Sequence, residues 1–258
     1  MNRITQLFEM KKTGILSVYF TAGYPALNDT LGILSALQTN GIDMVEIGIP
    51  FSDPMADGPV IQGATMQALQ NGMSLRLLFE QLKDMRHTIR IPVILMGYLN
   101  PVMQYGFERF CQSCKDAGVD GVIIPDLPFA DYLADYKDIA DRYDIKIIML
   151  ISPETSEERI RLIDEHTNGF IYMVSSASIT GVQNRFSGTV QAYFQRVRSM
   201  NLKNPQLIGF GISNQETFQA AMANASGAIV GSKFIELLDK NIDTEVSVTD
   251  LLKSLNNV

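Results

Sequence analysis

Asp43-Met44-Val45-Glu46-Ile47-Gly48-Ile49-Pro50-Phe51-Ser52-Asp53-Pro54-Met55-Ala56-Asp57-Gly58-Pro59 joins an alternating apolar run to a polar loop, and each half carries a carboxylate. The alternation sends Val45, Ile47 and Ile49 to one face of an extended strand and Met44, Glu46 and Gly48 to the other. A carboxylate on the inner face of a buried strand is costly to desolvate unless it is paired or neutralised. Glu46 therefore reads either as half of a structural ion pair or as a functional acid, and Asp57 on the loop behind it favours function.

The strand-and-loop unit recurs outward from this stretch in both directions. Short β-branched runs fall at 16–21, 44–49, 92–96, 121–124, 145–150, 170–174, 206–210 and 228–230. Amphipathic patterns of helical period lie between them at 29–38, 75–87, 105–117, 132–141, 156–166, 190–200, 215–223 and 233–238. Strict alternation implies parallel strands with right-handed crossovers, and eight such units predict an α/β fold of the closed (β/α)8 TIM barrel type. A doubly wound sheet is the alternative. Its Gly-rich first turn is absent, because strand 1 runs into Thr21-Ala22-Gly23-Tyr24-Pro25.

Length and composition agree with a single barrel domain spanning 1–258. The 258 residues are 46% hydrophobic, enough for a substantial core, and no low-complexity linker interrupts the series. A net charge of -7 without any Lys/Arg run argues against nucleic acid as a partner. The first residues lack the apolar core of a signal peptide and no apolar run approaches a membrane span, so a cytoplasmic location is expected. Cys111 and Cys114 form a C-x-x-C inside a helical pattern, with no second pair, and read as reduced thiols on a helix face. His87 and His166 stand apart near helix ends, so no metal site is expected.

In such a barrel, chemistry collects where strands end and the following loops begin. Long loops are then informative, and two stand out: 50–59 after strand 2, and 175–188 after strand 6. The second is small, polar and aperiodic, which suits either a lid over substrate or a plain surface excursion. Glycines close strand 7 (Gly209-Phe210-Gly211-Ile212-Ser213) and strand 8 (Val230-Gly231-Ser232-Lys233), the latter just before a helix. Glycine lets backbone N–H groups approach an anion, and the helix dipole assists. Loops 7 and 8 are where barrels commonly hold phosphate, although Ser232 reads equally as a helix cap.

These elements, with Pro125-Asp126-Leu127-Pro128 and Thr180-Gly181, resemble the tryptophan synthase α-subunit family over nearly the whole chain. The long element Pro-Phe-Ser-Asp-Pro-x-Ala-Asp-Gly-Pro is its most specific part. The resemblance implies retro-aldol cleavage of indole-3-glycerol phosphate to indole and glyceraldehyde 3-phosphate. It implies no cofactor in this chain, pyridoxal phosphate belonging to a partner β subunit, within an αββα assembly that passes indole between sites. Carried over by residue, it makes Glu46 the general acid/base and Asp57 the group that holds the indole N–H, with Tyr172 beside them. Burial should raise the proton affinity of Glu46, while Asp57 on a polar loop should stay ionised.

Further carry-overs make Gly181, Gly211, Gly231 and Ser232 phosphate ligands and Tyr19, Met96, Tyr98, Ile123 and Phe210 the indole pocket. Thr180 is the lid threonine that meets Asp57, and Asp53, Asn100 and Pro101 face the partner. The lid departs from the family pattern, with Ser176 and Ser178 where many members carry Arg and Gly; Arg185 reads as solvated. Other phosphosugar isomerases of this fold need acids or a cysteine at the end of strand 1 and an acid after strand 5 or 6, whereas here strand 1 ends Tyr19-Phe20-Thr21-Ala22 and strand 5 ends Leu150-Ile151-Ser152. A barrel kept only to activate a partner would not need both Glu46 and Asp57.

Overall fold

The computed structural model describes residues 1–55, 57–175, 186–241 and 243–256. Eight strands, β1 (Ile15–Thr21), β2 (Met44–Gly48), β3 (Val93–Met96), β4 (Gly121–Ile123), β5 (Lys146–Ile151), β6 (Ile171–Val174), β7 (Gln206–Gly209) and β8 (Gly227–Val230), pair in parallel with their sequence neighbours. β8 returns to β1 through Ile15 opposite Gly227, which closes the barrel. Each expected strand is present, shifted at its ends by a residue or two.

The alternation in β2 has the predicted consequence. Val45 and Ile47 point outward into the layer under the helices, together with Val18, Phe20 and Leu95. Met44 points inward, sharing the barrel interior with Ile15, Ile94, Ile123, Ile148 and Phe170. Strands buried on both faces read as nearly continuous apolar runs, which is why composition located them so well.

A helix absent from the sequence reading, Arg3–Met10, plugs the N-terminal end of the cylinder. Asn2 caps it by accepting from the Ile4 N–H at 3.0 Å, and its Ile4, Leu7 and Phe8 complete the interior apolar cluster. Beside the plug, the buried Asp120 accepts from Arg3 Nη1 at 3.0 Å, Arg86 Nη2 at 2.6 Å and the Val93 N–H at 3.0 Å. Both of its oxygens are engaged, so a carboxylate is stable there without exposure.

Four other segments differ from expectation. Gly58-Pro59 opens a helix, Pro59–Gln70, whose buried face is only Ala64, Thr65 and Ala68, too small to show as an apolar stripe. The pattern at 105–117 is the helix Phe107–Ala117, and a further helix, Leu99–Tyr105, precedes it across Gly106 at φ +91°. The pattern at 132–141 is interrupted by a wider turn at Tyr132–Tyr136 before the helix Lys137–Arg142 begins. A final helix, Thr244–Asn256, follows the last barrel helix, Ser232–Lys240.

Cys111 and Cys114 are unpaired and buried on the helix Phe107–Ala117, and burial pushes the Cys111 thiol up to about 12. Neither is set up as a nucleophile or a metal ligand. Among the described residues no cluster of His, Cys, Asp and Glu is arranged to hold a metal ion. No described helix is long and apolar enough to cross a membrane.

Candidate active site

The strand ends and loops at the C-terminal mouth of the barrel enclose one apolar cavity. Tyr19, Met96, Tyr172, Phe210 and Ile229 form its apolar wall, and Asp57 reaches it from the loop after β2. Gly211, Ser213, Gly231, Ser232 and Lys233 form the opposite, polar end. Eight residues expected from the sequence, Tyr19, Asp57, Met96, Tyr172, Phe210, Gly211, Gly231 and Ser232, thus meet around one cavity.

Glu46 occupies the middle of β2, opposite Tyr19 in the pairing with β1, and is 0% exposed. Ser17, one step along the inner face of β1, donates to Glu46 Oε1 at 3.2 Å, while Oε2 has no hydrogen-bond partner. Burial pushes the carboxyl up to about 8, and the Ser17 hydrogen bond works against that rise. A neutral carboxylic acid at physiological pH is a proton donor, as the inward orientation implied. Glu46 is not part of the cavity lining in this conformation; it sits within the barrel wall rather than on the cavity surface.

Asp57 is fixed by Tyr98, which follows β3. The Tyr98 hydroxyl donates to Asp57 Oδ2 at 3.1 Å and accepts from the Met55 N–H at 3.1 Å, while Gln62 donates to the Asp57 carbonyl at 2.8 Å. The Tyr98 ring also packs on Phe51, with centroids 5.5 Å apart. Burial pushes Asp57 above its ordinary value and the Tyr98 bond pulls it back. Asp57 itself is more enclosed than its polar loop suggested, because Tyr98 holds it against the barrel mouth while Ser52, Asp53 and Met55 on the same loop stay exposed.

Tyr19 and Tyr172 lie in the field of both acids. Each hydroxyl is raised first by its own burial and further by Glu46 and Asp57. Two glycines make room for them. A Cβ on Gly48 would collide with the Tyr19 hydroxyl, and one on Gly209 with that of Tyr172. Ser17 has no signal in the sequence, and Gly48 and Gly209 stand out there only as an inner-face residue and a strand-end glycine, because the partners of all three are set by register between strands.

The turn after β7 is conformationally unusual. Phe210 adopts φ +66°, a region that costs a bulky residue on the order of 1 kcal/mol, and Gly211 follows at φ +70°. Ser175, just after β6, donates to the Phe210 carbonyl at 2.6 Å and holds the turn. The Phe210 ring then meets Tyr172 edge-on at 5.9 Å.

At the polar end, Ser232 is the first residue of its helix and makes no capping bond; Gly231 precedes it, also without a side-chain cap. The cap alternative for Ser232 is therefore not what is seen. Ile123 is fully buried in the barrel interior and is not among the residues lining the cavity. Tyr98 lines an adjoining small recess with Tyr19, Asp57 and Met96. Asp53 and Asn100 are exposed and Pro101 is half-buried. Ser176, Ser178, Thr180, Gly181 and Arg185 lie outside the described residues.

Comparison with known proteins points the same way. Residues 5–257 match the family model described as tryptophan synthase alpha chain. A tryptophan synthase alpha chain from Parabacteroides distasonis is 69% identical over 255 residues, covering 99% of each chain. A crystal structure of the alpha chain from Legionella pneumophila superposes with a TM-score of 0.87 at 34% identity, covering 100% of this chain and 97% of that one. An alike chain, with a TM-score of 0.85 and 32% identity, comes from a structure of the tryptophan synthase complex of Pyrococcus furiosus, covering 95% of this chain and 99% of that one.

Proposed function

The chain belongs to the tryptophan synthase alpha chain family, the lyase that cleaves indole-3-glycerol phosphate in tryptophan biosynthesis, and from that premise we propose which residues carry the reaction. Glu46 is the general acid/base and Asp57 the group that holds the indole N–H. The observation that carries this reading is the contrast between a fully buried carboxylic acid raised to about 8 and a second carboxylate on the wall of the adjoining cavity.

The two acids then divide the work. Protonated Glu46 gives its proton to C3 of the indole, and positive charge develops on the ring nitrogen, where Asp57 stabilises it. The resulting Glu46 carboxylate takes the proton from the glycerol hydroxyl next to the ring. The carbon–carbon bond breaks as the aldehyde forms, indole regains its aromaticity, and Glu46 ends protonated as it began. Because Glu46 is turned toward Ser17, its side chain must rotate into the cavity for both transfers. The apolar wall of Tyr19, Met96, Tyr172, Phe210 and Ile229 suits the heterocycle, and the Gly211, Gly231, Ser232 end suits the phosphate.

The exposed loop after β2 and the helix Leu99–Tyr105 form the face for a β-type partner that receives indole, in an αββα arrangement with pyridoxal phosphate held by that partner. Asp53 and Asn100 are exposed there, as are the large apolar side chains of Met55 and Met103. The buried unpaired thiols of Cys111 and Cys114 suit a reducing cytoplasm.

The test is to supply indole-3-glycerol phosphate to the purified chain, with and without a β subunit, and to follow indole release. Glu46→Gln should lower turnover by about 1,000-fold or more with substrate still bound. Near-normal turnover in that variant would refute the assignment.

A further inference from the structure

The polar end of the cavity contains two groups that backbone phosphate binding leaves unused. Lys233 is the second residue of the helix Ser232–Lys240 and lines the cavity beside Ser232. Among the described residues lining it, Lys233 is the sole base, against the acids Asp57 and Glu236. Its nearest opposite charge is Glu236, one turn on, at 3.9 Å, and both side chains are partly open to solvent. At that separation the pair is loose and contributes little by itself. Ser213, in the turn after β7, lines the same end; it is 9% exposed, and its hydroxyl oxygen has no hydrogen-bond partner. A buried hydroxyl without a partner is unfavourable unless something else satisfies it.

We propose that Lys233 and Ser213 are specificity-determining ligands of the substrate's phosphate, Lys233 by exchanging Glu236 for the phosphate dianion and Ser213 by donating its hydroxyl. The inference rests on the phosphorylated substrate of the preceding section. Charge makes the case: a dianion entering a cavity already lined by two carboxylates needs a cation close by, and the helix dipole alone supplies about half a unit charge. A lysine on the first turn of that helix adds a full charge at the same place. Ser213 adds a donor from the loop after β7. Phosphate bound between the two loops would thus be held by side chains that differ chemically from the backbone N–H groups of Gly211 and Gly231.

The experiment measures kcat and KM for indole-3-glycerol phosphate in the chain with its β partner, and the binding of inorganic phosphate to the chain by calorimetry. Lys233→Met keeps the stem and removes the charge. It should raise KM, and the dissociation constant of inorganic phosphate, by about 10-fold while kcat stays within about twofold. Ser213→Ala should raise both by about threefold. Glu236→Gln separates this from a structural ion pair: KM at or below the wild-type value supports the proposal, and a rise matching that of Lys233→Met overturns it. Unchanged KM and unchanged phosphate binding in Lys233→Met also overturn it. If the wild-type chain releases no indole, the proposed function fails, and the phosphate titrations of wild type and Lys233→Met still decide the role of Lys233.

Discussion

The two ends of the barrel treat a buried carboxylate in opposite ways. At the N-terminal end Asp120 is bonded through both oxygens to two arginines and a backbone N–H. At the C-terminal end Glu46, just as buried, has one hydrogen bond from Ser17 and one oxygen without a partner. The first arrangement uses up the hydrogen-bonding capacity of the acid and ties the plug helix to the wall. The second leaves capacity free, which raises the proton affinity and keeps the group available to a substrate. Burial alone does not distinguish a structural acid from a reactive one; satisfaction does.

Four substitutions would break or sharpen that contrast. Asp120→Ala should be the most damaging to stability, by about 3–5 kcal/mol, because it strands Arg86 in a mostly buried site. Denaturant unfolding reads this directly, and a loss below about 1 kcal/mol would mean that the lower cluster is not structural. Asp57→Asn should fold normally and lower turnover by about 100-fold, since it removes the charge opposite the ring nitrogen while keeping the shape. Unaltered turnover would leave Glu46 as the one working acid.

The pH dependence of stability is the next test. Glu46 is raised from 4.5 to about 8, so between those values the folded chain retains a proton that the unfolded chain has released. Stability from this group is present below pH 4.5 and is lost as pH rises toward 8, with a slope of at most about 1.4 kcal/mol per pH unit. Glu46→Gln should abolish that slope, so the variant gains on the wild type in melting temperature as pH rises across the window; parallel curves would contradict the raised carboxyl. The smallest effect belongs to Ser17→Ala. Loss of its hydrogen bond should move the alkaline fall in turnover upward by about half a pH unit. A limb that stays in place would show that Ser17 does not touch the reactive form of Glu46.

Much of the architecture was readable from residue order because parallel barrel strands are buried on both faces and stand out as β-branched runs. Inward orientation of Glu46 followed from the two-residue period of β2 alone. The plug helix Arg3–Met10 has Ile4, Leu7 and Phe8 at helical spacing, but its 8 residues span only about two turns, too few for periodicity alone to mark a helix. Pro59–Gln70 was missed because its buried side chains are small, leaving Gly58-Pro59 as its one clear signal. In the site, individual acids and glycines were legible, whereas Ser17 against Glu46 and Tyr98 against Asp57 were not, 29 and 41 residues apart in sequence. Such partnerships depend on strand register and loop closure, which no local pattern encodes. Lys233 and Ser213 carry no local pattern that separates them from other polar loop residues; only the shared cavity brings them together.

Gly48 and Gly209 add a consequence for how this mouth tolerates change. Each faces a phenol oxygen so closely that even a methyl group has no room. The aperture around the heterocycle is therefore defined by atoms that are missing, and nearly every codon change at these two positions adds some. Trimming Tyr19 or Tyr172 widens the opening by degrees, whereas enlarging either glycine pushes a whole ring off its seat, so drift in substrate size at this barrel has an easy direction and a blocked one.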